Sequence, residues 1–107
     1  MKLLKKHIDT VKLLSHGKPS ICKGIIKYAD TDLIKCLCEI CHNVLKGNVP
    51  LTSIQKRKLQ RYKQTIRGLS SYRKTSQLKK KQLLQKGGFL GALLPPIIGL
   101  LGSLFTT

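Results

Sequence analysis

"ADTDLIKCLCEICHNVLKGN", residues 29–48, is the stretch on which the fold turns. Leu33, Leu37, Ile40, Cys41, Val44 and Leu45 recur at three- and four-residue spacing. On a helix they fill one broad apolar arc. Asp30 or Thr31 caps the start, and the early acids Asp30 and Asp32 suit the positive end of a helix. Gly47 stops it. This pattern predicts a helix that must bury one face against other helices.

Outward toward the N-terminus the same period continues. In "KLLKKHIDTVKLLSHG", residues 2–17, Leu4, Ile8, Val11 and Leu14 form a single stripe, and Gly17 is a left-handed stop. "KPS" restarts the chain with Pro19 in a first helical turn. Ile21, Ile25 and Ala29 then share a face, flanked by Cys22 and Ile26. Toward the C-terminus, "VPLTSIQ" opens a fourth helix, where Thr52 and Gln55 have capping-box spacing. Leu59, Tyr62, Ile66 and Leu69 make a narrow stripe on it through about Gly68. A polar break, "SSYRKTSQ", precedes a short basic helix, "LKKKQLLQK". No segment alternates as a strand does. The class is all-α: a small helical bundle, a basic helical arm and an apolar C-terminal tail. The divisions fall at residues 1–50, 51–86 and 87–107. About fifteen to eighteen aliphatic or cysteine side chains precede residue 70, each contributing about 1.5–3 kcal/mol if buried. That is marginal for this length. Either the tail supplies the missing core or a homo-oligomer does.

"CLCEICH" invites a zinc site of Cys36, Cys38, Cys41 and His42. One continuous helix cannot wrap four ligands around an ion. Cys38 and Cys41 fall on the apolar arc, Cys36 on its edge and His42 opposite. A metal site would have to recruit Cys22 or His7. The reading is core thiols and no metal. "MKLLKKHIDTVKLL" has no apolar run of signal length, so a reducing compartment and free thiols are expected. The chain shows no phosphate loop, no metalloprotease motif and no dinucleotide-binding context. Glu39 and His42 read as a solvated pair. No enzyme activity and no cofactor are expected.

The net charge of the 107-residue chain is +17, and its four acids, Asp9, Asp30, Asp32 and Glu39, all precede residue 40. Twelve of its 21 Lys and Arg fall in residues 56–86: Lys56, Arg57, Lys58, Arg61, Lys63, Arg67, Arg73, Lys74, Lys79, Lys80, Lys81 and Lys86. Unopposed charge of this density implies a polyanionic partner, nucleic acid or an anionic surface. Phosphate contacts that release counterions give binding without sequence preference. With only Tyr62 and Tyr72 nearby, base stacking is not the main mode.

"GGFLGALLPPIIGLLGSLF", residues 87–105, is the apolar tail. Pro95 and Pro96 remove two backbone donors and predict two short arms about a kink. At 17 uncharged residues from Phe89 to Phe105 it is at the lower edge for a membrane span. Phe89, Leu90, Leu93, Leu94, Ile97, Ile98, Leu101, Leu104 and Phe105 are the expected membrane or capsid contacts. The other reading is that the tail folds back as core.

Several of these segments resemble known sequences. "QKGGFLG" and the following leucines, proline and isoleucines resemble the C-terminal segment of the adenovirus core protein mu precursor. "GKPS", "LKGNVPLT" and "QKGGFLG", with "ADTDLI", resemble small proteins of adenovirus-related mobile elements, the Polinton or adintovirus class. The resemblance implies a virion-associated role in the virion or host nucleus, packaging duplex DNA and linking it to a capsid protein or membrane; the residues alone also fit a cationic membrane-active, membrane-disrupting protein or a helical adaptor that binds another protein. The resemblance also implies processing by a viral cysteine protease after Gly87 and Gly88, at the Gly88–Phe89 bond. That family's pattern has an apolar residue where this chain has Gln85, and its members lack a cysteine-bearing helical head.

Overall fold

The 15-residue helix Thr31–Leu45 is the centre of a computed structural model in which helices surround it on several sides. The structure describes residues 2–71, 75–85 and 89–105, and the side chains among them from Leu3 to Gly99. In chain order the helices are α1 (Lys2–Lys6), α2 (Ile8–His16), α3 (Pro19–Lys27), α4 (Thr31–Leu45), α5 (Ser53–Gln60), α6 (Lys63–Ser70), α7 (Ser76–Gln85) and α8 (Phe89–Phe105). No described residue lies in a strand, and the protein is an all-α bundle.

Local signals place most of the boundaries. The Asp30 carboxylate accepts from the Leu33 backbone N–H at 2.8 Å and caps α4. Pro19 opens α3. Thr52 and Gln55 form a full capping box on α5: the Thr52 hydroxyl accepts from the Gln55 N–H at 3.2 Å, and the Gln55 side chain accepts from the Thr52 N–H at 2.9 Å. Gly47 is left-handed, with φ of 76°.

Gly17 is a different case from the one its position predicts. Its φ is −72° and ψ 157°, so it is extended. Space, not handedness, favours glycine there: a Cβ would stand 2.6 Å from the Leu13 carbonyl oxygen and 3.3 Å from Cys22 Sγ. Two predicted helices are also interrupted. The N-terminal stripe breaks at His7, between α1 and α2, and the basic helix breaks at Arg61–Tyr62, between α5 and α6. The apolar stripe survives both breaks. Leu4, Val11 and Leu14 are buried on one side, and Leu59, Ile66 and Leu69 on the other.

α4 contacts α1, α6 and α7, so its buried face is wider than one arc. Leu33, Ile34, Cys36, Leu37, Ile40 and Cys41 are buried. Cys36 is deeper than Cys38, the reverse of the single-arc expectation. Leu45, expected in the arc, is exposed at the helix's last turn.

The tail is inside. The most extensive helix pairings are α4 with α6 and α2 with α8. Phe89, Leu90, Leu93, Leu94 and Ile97 are buried in the same cluster as Val11, Leu14 and Leu37. The expectation that these five side chains face a membrane or capsid is corrected by that burial, and Ile98 is packed against the cluster as well. The side chains of Leu101, Leu104 and Phe105 lie outside the described residues. Head, arm and tail share one core, and the tail provides what the first seventy residues lacked. The radius of gyration, 12.8 Å, is that of a compact domain of this length, about 13 Å.

α8 also runs through Pro95 and Pro96 where two kinked arms were expected. The reason lies in which side the small residues take. Gly91, Pro95 and Gly99 are exposed, at four-residue spacing, while the large aliphatics point inward. Pro95 leaves the Gly91 carbonyl without its helical donor, and that carbonyl is on the side where solvent can satisfy it. Among the described residues no helix is long and apolar enough to cross a membrane.

Candidate nucleic-acid interface

α5 and α6 carry the cations. Leu59, Ile66 and Leu69 are buried while Ile54 stays exposed, and Tyr62, in the turn between the helices, packs edge-to-face on Phe89, at 5.7 Å between ring centroids. That docking leaves Lys56, Arg57 and Lys58 on α5, Lys63 and Arg67 on α6, and Arg61 in the turn between them all exposed. No acid follows Glu39 in the chain, so neither helix contains a carboxylate to neutralise them.

The α7 lysines divide. Lys81 is exposed, whereas Lys80 Nζ donates to the Ala29 carbonyl oxygen at 3.0 Å and ties α7 to the end of α3. Lys79 is half-buried beside Cys38. The two therefore serve the fold rather than an outward surface, which the charge run alone did not reveal. Arg73, Lys74 and Lys86, like Gly87 and Gly88, lie outside the described residues. Between α1 and α4, Lys6 Nζ pairs with Asp32 at 3.0 Å and holds that carboxyl below its usual range. The four acids lie on α2, on α4 and at the α4 cap, away in sequence from the α5–α6 cations.

All four cysteines are free thiols. Burial, with Glu39 and Cys38 nearby, pushes the Cys36 thiol up to about 12. Burial raises Cys41 further and raises Cys38 against the pull of the Lys79 ammonium. Thiols rather than thiolates occupy α4 near neutral pH, so they are poor nucleophiles. Among the described residues, no three His, Cys, Asp or Glu side chains are grouped to hold a metal ion. An expected consequence is that Cys36 and Cys41 resist iodoacetamide at pH 8 in the native protein and react fully in denaturant. Mass spectrometry of the labelled peptides checks this. Rapid native labelling of Cys41 would contradict its burial.

A cavity of about 430 Å³ lies between α4 and α7, with Cys38, His42, Ser76 and Lys79 on its wall. Glu39 and His42 both reach it, so the pair is not simply on an open face. Comparison of the chain with protein-family models, with curated proteins and with solved structures finds no match in any of the three.

Proposed function

We propose that the protein binds duplex nucleic acid through its phosphates, with the surface of α5 and α6 as the contact. One observation carries this reading: six cations are exposed along two consecutive helices and the turn that joins them, in a chain that has no acid after Glu39. Arginine at positions 57, 61 and 67 adds forked donors suited to phosphate oxygens. The protein acts as a binding and packaging component, not as an enzyme. Its resemblance in "QKGGFLG" to virion-associated proteins supports duplex DNA as the partner and the virion or nucleus as the setting.

The test is a salt series with unrelated duplexes. If all six cations engage, log K falls against log salt with a slope of about −5. Replacing Arg57 and Arg61 together by Gln should reduce the slope by about 2 and weaken all sequences alike. A flat salt response, or strong preference for one duplex, defeats the proposal.

A further inference from the structure

Beside the cationic surface runs an open apolar groove of about 260 Å³. Its floor is Val44 and Leu45 at the end of α4, Leu51 in the following loop, and Leu59 and Ile66 from α5 and α6. Lys56 and Lys63 stand at its edge. The groove exists because α4 outruns its partners: Leu45 remains 41% exposed after six other positions on the same helix are buried. A single exposed leucine needs no explanation. A concave floor of five aliphatic residues with two ammonium groups beside it does.

The lining chooses among occupants. A phosphate backbone would use the lysines but has nothing to place on leucines. A base would need an aromatic face, and none of the lining residues is aromatic. A bilayer surface is broad, and this site is a groove with cations at its edge. An occupant that satisfies both parts offers a large apolar side chain with carboxylates next to it. None of this chain's own acids lines the groove, so the two ammonium groups have no carboxylate on its wall. We infer that this groove docks an acidic segment of a partner protein, with a leucine or phenylalanine seated on Leu45 and Leu51 and flanking carboxylates paired to Lys56 and Lys63. Burial of the anchor supplies affinity, and the charge pairs supply orientation and rate.

The experiment uses the full chain and fluorescence anisotropy with two short labelled peptides. One places leucines among glutamates, and the other has the leucines replaced by serine. The leucine peptide should bind about tenfold or more tightly, as burial of one large side chain implies. Leu45→Ser, at an exposed position, should keep the thermal transition of the parent and lose most of that preference. Replacing Lys56 and Lys63 by Gln should weaken both peptides. Equal binding of the two peptides would overturn the inference, leaving charge attraction alone. So would an unchanged preference in Leu45→Ser. Sedimentation showing a dimer that Leu45→Ser converts to monomer would overturn it too, by making the occupant a second copy. No nucleic acid enters the peptide measurement, so its outcome is independent of the phosphate-binding proposal.

Discussion

A chain that stops at Gly88 is expected to lose its cooperative fold. The missing helix, α8, contributes Phe89, Leu90, Leu93, Leu94 and Ile97, each no more than 3% exposed. At about 1.5–3 kcal/mol per buried side chain, the five contribute roughly 7–15 kcal/mol as an upper bound. Whole domains are stable by about 5–15 kcal/mol. The loss is therefore comparable with everything the fold has. It also uncovers Val11 and Leu14 on α2, which α8 packs against. Circular dichroism should show reduced helicity and no sharp thermal transition, and the truncated chain should aggregate at low salt. A truncated protein that melts cooperatively at the parental temperature would show that α8 is an appendage. Such a truncation cannot serve as a clean tool for asking what the tail touches, because it removes the core along with the tail.

Phe89→Ala should be the most damaging single substitution in α8. The ring is fully buried at the start of the helix and meets Tyr62 edge-to-face, with planes at 61°. Truncation removes the ring's transfer energy and leaves a void, and such changes cost about 3–5 kcal/mol. It also removes the ring contact of Tyr62, which sits at the break between α5 and α6. Denaturant titration should therefore show a large drop in midpoint with an unchanged slope. Phe89→Leu should recover a good part of the loss. As a contrast, Leu45→Ala, outside the packed core, should change stability by about 0.5 kcal/mol or less. A Phe89→Ala midpoint equal to the parent's would contradict the buried placement of α8.

The helices were legible where the signal is local. Asp30 before Leu33, Thr52 before Gln55 and Pro19 after a break state boundaries within a few residues, and the structure uses all three. The interior of α4 was legible from its period. What could not be read was which surfaces meet. Leu93 and Leu45 are both leucines in apolar surroundings, yet one is fully buried and the other exposed. Nothing within their own helices distinguishes them, because the difference is how fully the neighbouring helices close over each. Pro95 and Pro96 read as a break, since propensity takes no account of which side faces water. The cation run was legible as charge, but Lys80 was counted as outward until its bond to Ala29 appeared. A lysine's use depends on a carbonyl 51 residues away.

The pairing of α2 with α8 also bears on how the protein is made. Their near ends, His16 and Phe89, are separated in sequence by most of the chain. During synthesis α2 emerges early, with Val11 and Leu14 uncovered until the α8 segment has cleared the ribosome. Helical proteins usually fold fast because their contacts are local, and this closure is not. Closure of this core then waits until the α8 segment has emerged. In that interval the nascent chain displays apolar stripes together with a strongly cationic stretch.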